Sequence, residues 1–372
     1  MRSTIHWLGA GLSSTPGIRR LAQGDTPFVV WNLDREQTRK SLLAAGVDTD
    51  VRELQFPAFW DSVRQGDIVV SMLPATMHMD VAREALRRGT HFVSSSYVSP
   101  DMRALHDKAA AAGLCFVNEV GLDPGIDHMS AMKIIHGVEN RGGKIVSFRS
   151  YCGGLPAPEA NDSPWGYKFS WSPVGVLRAT ASPARFLDRG VEHELPSERV
   201  FIEVMPLEVA GMRFEAYANR DSLSYMQTFG LREVRTMIRG TLRYPGWSET
   251  WAQIVSLGLP NEKLRIPDLA RRSHREVVEM FLPLNIAEPR IEQRIARFLH
   301  ISPTGRIMEN LRWLGLFSEK PTGCPGDTAA AMLIHLLQER LPLAEGMRDV
   351  VVLVHELEVV YPDGQHPSEC IT

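Results

Sequence analysis

Ile5-His6-Trp7-Leu8-Gly9-Ala10-Gly11-Leu12-Ser13-Ser14-Thr15-Pro16 is the stretch on which the fold turns. A short apolar run meets two glycines one residue apart. A helical pattern then starts at Pro16, with Ile18 and Leu21 on its apolar face. Strand, glycine turn and helix together supply what a dinucleotide pyrophosphate needs. The glycines let the backbone come close, and the helix start offers free N–H groups and a positive dipole end. Ser14 stands where the fingerprint has its third glycine, so the motif draws its strength from context. Phe28-Val29-Val30-Trp31 reads as a second strand, ending at Asn32-Leu33-Asp34-Arg35. Asp34 lies 23 residues beyond Gly11, where a carboxylate can accept hydrogen bonds from the adenosine ribose.

The alternation continues outward from there. Residues 67–73 read as a strand, 79–88 as a helix, 91–94 as a strand, 100–112 as a helix and 114–117 as a strand. Strands alternating with helices at this rhythm predict a doubly wound parallel sheet. Residues 1–125 are expected to form a Rossmann-type dinucleotide-binding domain. Pro74-Ala75-Thr76 and Ser95-Ser96-Tyr97 follow strand ends and should face the cofactor. Asn118-Glu119-Val120-Gly121-Leu122-Asp123-Pro124-Gly125-Ile126-Asp127-His128 does the same after the last strand. Asp123, held extended before Pro124, is a candidate ligand contact. Asp127 reads equally well as the N-cap of a helix over 129–138.

Composition excludes several classes. With 372 residues, the chain is long enough for two or three domains. A net charge of −3 and the lack of a basic run speak against nucleic acid. The four cysteines, Cys115, Cys152, Cys324 and Cys370, form no CxxC pair; no metal site is expected, and reduced thiols fit a cytoplasmic protein. The amino terminus lacks a basic start and a long apolar core, so no signal peptide is read there. The longest apolar run, within 349–361, is broken by His355, Glu356 and Glu358, so no membrane span is expected.

Beyond residue 125 the rhythm changes. Residues 145–151, 199–208, 213–218 and 234–242 look like strands without long helices between them, which predicts a mixed sheet in an α+β substrate domain. Between the first two lies a turn-rich stretch, 153–173, with two tryptophans. Residues 249–320 turn helical, with apolar spacing in 277–281, 291–299 and 307–316. A helix over 327–341 then leads to a strand over 349–361. The expected layout is a substrate domain of 126–248 and 327–372 interrupted by a helical insertion, 249–326.

Arg220 and Arg243 sit at strand ends in this second domain, and guanidinium forks bind carboxylates. Two of them would suit a substrate with several carboxylates. Lys168 is a further cation in the turn-rich stretch. Tyr97, Cys152 and His128 are possible acid–base groups, with orientation of substrate the preferred role for Tyr97 and Cys152.

Several blocks together resemble the glutamate-forming saccharopine dehydrogenases. They are Ser95-Ser96-Tyr97, Gly121-Leu122-Asp123-Pro124-Gly125-Ile126-Asp127-His128, Tyr151-Cys152-Gly153-Gly154-Leu155-Pro156-Ala157-Pro158-Glu159, Gly166-Tyr167-Lys168-Phe169-Ser170-Trp171-Ser172, Asn219-Arg220-Asp221-Ser222, Arg239-Gly240-Thr241-Leu242-Arg243-Tyr244 and Trp313-Leu314-Gly315-Leu316-Phe317. The similarity runs from the first strand to about residue 363. It implies oxidation of the secondary amine of saccharopine by a nicotinamide cofactor, giving 2-aminoadipate semialdehyde and glutamate. By motif, Ser96, Tyr97, Leu122, Asp123, Arg220, Thr241, Leu242 and Arg243 would meet the substrate. Gly9, Gly11, Leu12, Asp34, Arg35, Ser71, Leu122, Asp123, Pro124 and Ser170 would line the cofactor, and Tyr97, Asp123 and Cys152 stand as the catalytic candidates. The resemblance also implies a possible homodimer. Chains of this kind usually continue for several tens of residues past the strand at 349–361. This one stops at Thr372, so support normally given by that segment is expected to be weaker.

Two other readings remain open at this stage. One is a C–N oxidoreductase acting on a carboxylated polyamine such as carboxynorspermidine; the other is a non-catalytic dinucleotide-binding sensor. The cofactor is NAD or NADP. Asp34 favours NAD, because a 2′-phosphate beside its carboxylate meets like-charge repulsion.

Overall fold

The computed structural model describes residues 2–284 and 288–362 in full, and the backbone of residues 368–371. Residues 363–367 and Thr372, with which the expected substrate domain ends, lie outside the described residues. The chain divides into two compact units, Met1–Ser130 and Ala131–Thr372.

The first unit is a six-stranded sheet: β1 (Ile5–Leu8), β2 (Phe28–Asn32), β3 (Asp50–Glu53), β4 (Ile68–Ser71), β5 (His91–Ser94) and β6 (Phe116–Val117). Its order is β3-β2-β1-β4-β5-β6, and every pair is parallel. The order reverses between β1 and β4, and ligands of such sheets lie in the crevice outside the strand ends at that point. Successive strand residues serve opposite faces. Leu8, Val29, Trp31 and Val69 join one core cluster with Phe59 and Phe92. Trp7, Val30, Val51 and Val70 join another with Ile18 and Leu42. Cover on both faces is why these strands read as unbroken apolar runs rather than alternating ones. β3 lacks such a run, and the sequence reading passed over it. The helix expected over 100–112 is two short ones, Pro100–Arg103 and His106–Ala111.

The second unit is built on β7 (Lys144–Pro156), a 13-residue strand. In chain order follow β8 (Ala184–Asp188), β9 (Val191–Leu195), β10 (Met205–Val209), β11 (Met212–Ala218), β12 (Thr236–Arg243), β13 (Asp349–Val360) and the backbone of β14 (Ser368–Ile371). The main path is β10-β11-β12-β7-β13-β14, with the β8–β9 hairpin attached to β12. β12 runs parallel to β7 and β13 antiparallel to it, so the sheet is mixed as expected. One face carries Tyr151, Leu155, Ile238, Leu242, Val352 and Val354 into a large core. Helices Trp247–Ser256, Ile291–Leu299, Arg306–Leu314 and Ala329–Arg340 add Trp247, Trp251, Ile295, Leu311, Leu314 and Leu333 to it. The opposite face buries Phe148, Met237, Leu357 and Val359 with Ile135 and Val138.

Two expectations need correction. Residues 199–208 are not one strand: a helical turn, Ser197–Val200, precedes β10, which starts only at Met205. β7 continues through Gly153 and Gly154, which the sequence reading gave to the turn-rich stretch. A Cβ on Gly153 would lie 2.9 Å from the Leu242 carbonyl oxygen, so glycine there lets β12 approach rather than breaking the strand.

Candidate active site

The glycine turn after β1 has the shape a pyrophosphate requires. Gly9 sits at φ +93°, and a Cβ there would lie 2.8 Å from the Met72 carbonyl oxygen, against the end of β4. A Cβ on Gly11 would meet nothing within 4 Å, which leaves room for a ligand on the exposed side. Helix α1 (Thr15–Ala22) starts directly behind, and Ser14 is its N-cap. Ser14 takes the third glycine's place without loss, because its side chain turns inward: it is 2% exposed and its hydroxyl donates to the Gly9 carbonyl. Leu12 stands 67% exposed at the lip of the turn. These features fit a dinucleotide, and the opening amides of α1 are the groups that would hold its phosphates.

Asp34 stands just after β2, as expected. It caps α2 (Arg35–Ala44), its Oδ1 accepting from the Gln37 amide at 2.8 Å. Arg35 turns its Nε to the Val51 carbonyl at 3.1 Å. Both side chains are thus engaged with backbone of their own unit.

At the carboxyl ends of β5 and β6 the candidate residues come together. The Tyr97 hydroxyl donates to Asp123 Oδ1 at 2.7 Å. The hairpin-like turn around them is held by Gly121 N donating to the Pro124 carbonyl and Ile126 N to the Gly121 carbonyl. Gly125, at φ +148°, could not be another residue, since a Cβ would fall 2.2 Å from the Gly121 oxygen. The following helix is longer than expected, Ile126–Glu139, and so takes in Asp127 and His128. Asp127 Oδ1 accepts from the Gly125 amide at 2.7 Å, and His128 lies 3.4 Å from both Glu119 and Asp127 carboxylates. Glu119 also accepts from the Val98 amide at 2.9 Å, tying this turn to the one after β5.

Ser71 and Ser96 meet through a residue the sequence reading missed, His78. Its Nδ1 is 2.9 Å from Ser71 Oγ and its Nε2 2.9 Å from Ser96 Oγ. Burial pushes the imidazole pKa below its ordinary value. Ser71, expected to line the cofactor, is fully buried and its hydroxyl meets His78. His78 opens the helix His78–Arg88, directly after the turn Pro74-Ala75-Thr76 that follows β4, and that place near a strand end is the one hint the sequence carries.

In the second unit the candidates cluster on β7, β12 and the turns beside them. Cys152 is 9% exposed and sits between Thr241 of β12 and Leu353 of β13 in register. Arg243 ends β12 and is 5% exposed. Its guanidinium lies 4.9 Å from the Tyr167 ring centroid and 5.0 Å from that of Trp247, and Nη1 donates to the Leu242 carbonyl. Among the described residues its Nε finds no partner. Trp247 in turn stacks on Trp251 and Tyr217. Burial pushes the Tyr217 hydroxyl up to about 12, despite the Arg243 charge and a hydrogen bond with Thr241. Arg220 is exposed in a left-handed conformation, φ 54°, after β11. Lys168 is 7% exposed and paired at 2.8 Å with Asp162, and Ser170 is half-buried two residues on. Leu242 is fully buried, and its backbone faces Gly153.

Two family models cover nearly the whole chain. The saccharopine dehydrogenase NADP binding domain matches residues 5–117, and the saccharopine dehydrogenase C-terminal domain matches residues 121–372. The chain belongs to the saccharopine dehydrogenase family. It is accordingly a nicotinamide-dinucleotide oxidoreductase. Saccharopine dehydrogenase [NADP(+), L-glutamate-forming] of Saccharomyces cerevisiae is 38% identical, covering 98% of this chain and 83% of that protein. The enzyme of the same name from Schizosaccharomyces pombe is 38% identical over 84% of this chain and 71% of its own length. The apo structure of the S. cerevisiae saccharopine dehydrogenase (L-Glu forming) superposes with a TM-score of 0.83 at 33% identity, covering 99% of this chain and 84% of that one. The preference for NAD drawn from Asp34 is not supported. The matching family model and the two curated relatives carry NADP in their names. Among the described residues no helix is long and apolar enough to cross a membrane.

Proposed function

We propose that this saccharopine dehydrogenase family member oxidises saccharopine with NADP to 2-aminoadipate semialdehyde and L-glutamate. The observation that carries the reading is the likeness to the S. cerevisiae enzyme across both units, at 98% coverage of this chain. When bound, the nicotinamide accepts a hydride from the carbon beside the secondary amine. The protein's own tasks are then to bind a tricarboxylate, orient the amine and admit one water to the resulting imine.

Arg243 and Arg220 supply cationic donors for substrate carboxylates. The unpartnered Arg243 Nε–H supports that role, because a buried guanidinium N–H without an acceptor is costly until a ligand provides one. The rings of Tyr167 and Trp247 fix the guanidinium plane, so less freedom is lost on binding. The hydrogen bond that Tyr97 donates to Asp123 holds the phenol in one orientation, which supports a part in placing the reactants. In this reading Tyr97, Asp123 and Cys152 orient reactants rather than act as an indispensable base. Thr241 and Leu242 present backbone at the edge of the substrate, and Ser96 and Leu122 complete its surroundings. Gly9, Gly11, Leu12, Asp123, Pro124 and Ser170 line the cofactor, and Arg35 is the nearest cation in sequence for a 2′-phosphate. The helical segment 249–326 is taken as an insertion into a substrate domain of 126–248 and 327–372, beside a cofactor domain of 1–125. A cytoplasmic homodimer completes the reading.

The test is to supply purified protein with saccharopine and either cofactor, follow the reduced nicotinamide and identify the products. Glutamate and 2-aminoadipate semialdehyde, formed faster with NADP, are the expected result. No turnover, or lysine with 2-oxoglutarate as products, refutes it.

A further inference from the structure

We propose that His78 is a positioning residue: it keeps the Ser96 hydroxyl turned outward as a hydrogen-bond donor for a carboxylate of the ligand. The inference rests on the reading above in taking that ligand to be the carboxylated substrate.

The argument follows the hydrogens. His78 is 5% exposed and desolvation disfavours its charged form, so the ring carries one N–H and one lone pair. It touches one hydroxyl with each nitrogen, Ser71 at Nδ1 and Ser96 at Nε2, both at 2.9 Å. A neutral ring cannot treat the two alike: one serine must donate to it, and the other must accept from it. Ser71 is fully buried at the end of β4. Among the described residues the His78 nitrogen is the only partner of its hydroxyl, and a buried hydroxyl hydrogen without an acceptor is expensive. Ser71 therefore donates to Nδ1, and the ring proton sits on Nε2, where it is given to Ser96. The Ser96 oxygen is then an acceptor toward His78, so its own hydrogen must go elsewhere. Ser96 is half-buried, past the end of β5. Its backbone is already committed, its N–H to Ser94 Oγ and its carbonyl to the Glu119 amide. The hydroxyl hydrogen is left for a ligand acceptor. A carboxylate oxygen is such an acceptor, and it has no hydrogen of its own to give. One fully buried serine thus sets the polarity of an accessible one, with the imidazole as the link.

The tautomer can be read without any substrate. Long-range proton–nitrogen correlation on histidine-labelled protein, with the His78 signals assigned by their loss in His78→Asn, should show Nε2 protonated and Nδ1 bare. A proton on Nδ1 overturns the proposal. The consequence for binding is read in two variants. His78→Asn sets an amide near the Nδ1 position and serves Ser71 only; His78→Gln reaches the Nε2 position and serves Ser96. His78→Asn should raise KM for saccharopine by roughly tenfold while kcat and KM for the cofactor hold. Ser96→Ala should do the same, and the double variant should add nothing further. His78→Gln should restore KM to near the wild-type value. Melting temperatures of all variants show whether each folds. Equal losses in the Asn and Gln variants, additive losses in the double variant, or a rise in cofactor KM instead of substrate KM would each overturn the role. A wild-type protein that does not turn over saccharopine defeats the parent reading instead, and the nitrogen spectrum still decides the relay.

Discussion

Replacing His355 with phenylalanine should make the second unit less sensitive to acid. His355 lies on β13 opposite Ser150 of β7, 2% exposed, with its ring 5.9 Å from that of Phe148. Burial first, and the nearby Arg239 charge second, bring its pKa down to about 4 from 6.5. The folded protein therefore holds this imidazole neutral where the unfolded chain protonates it. Stability from this group is fully present above pH 6.5, and it drains away as pH falls toward 4. The gap of about 2.5 pH units corresponds to about 3 kcal/mol once complete, and to about 2 kcal/mol already at pH 5. For a unit of this size that is a relative shift of roughly 4–8 °C in melting temperature. Phenylalanine fills a similar volume and cannot titrate. Calorimetric melting of wild type and His355→Phe between pH 7.5 and 4.5 makes the comparison, in which the carboxylates common to both cancel. The variant should gain on wild type as pH falls through 6.5. Two curves that stay parallel over that range would refute the reasoning, whatever their offset.

Asp34→Ala should cost about 0.5–2 kcal/mol through loss of the α2 cap, and Asp34→Ser much less; thermal melting separates them. If the carboxylate also hinders the 2′-phosphate, both variants raise kcat/KM for NADP relative to NAD in steady-state assays. Tyr97→Phe and Cys152→Ser should each lower kcat by less than the ~10²–10⁴-fold that loss of a general acid–base group produces, which initial rates across a pH series will show. Arg243→Ala and Arg220→Ala should reduce kcat/KM for saccharopine about ten- to hundredfold, the cost of one charge-assisted contact. Arg243→Lys should recover little of it, since an ammonium cannot reproduce a guanidinium plane packed against two neighbouring rings.

The Rossmann half was legible because its physics is local. Runs such as Val29-Val30-Trp31 and Val69-Val70 are buried on both faces, and the Gly9-Ala10-Gly11 turn announces itself. β3 was invisible because its four residues contain one apolar side chain, Val51. Asp34 shows a different limit. Its position after β2 suits a ribose contact and a helix cap equally, and no pattern in the chain chooses between them. In the second unit Gly153 and Gly154 looked like turn residues. Their use in β7 depends on Leu242, a partner some ninety residues away. The β8–β9 hairpin was missed although Arg189-Gly190, both at positive φ, mark its turn. Among the site residues, Tyr97 and Asp123 were singled out and are joined by a hydrogen bond. His78 was not, because one histidine at a helix start carries no spacing of its own; only the two hydroxyls brought to it by β4 and the turn after β5 distinguish it.

The placement of β7 also bears on how the protein is made on the ribosome. One of its edges is closed by β12, whose last residue is Arg243, and the other by β13, which begins only at Asp349. Translation at about 5–20 residues per second leaves roughly 5–20 s between the emergence of the two partners. During that interval the longest strand of the sheet offers a bare row of backbone donors and acceptors to any neighbouring chain. In the first unit, complete by Ser130, the matching wait of β1 is shorter, from β2, which ends at Asn32, to β4, which begins at Ile68. Nascent chains halted between residues 250 and 340 are therefore the ones expected to recruit chaperones or to aggregate, and slow codons in that interval would lengthen the exposure.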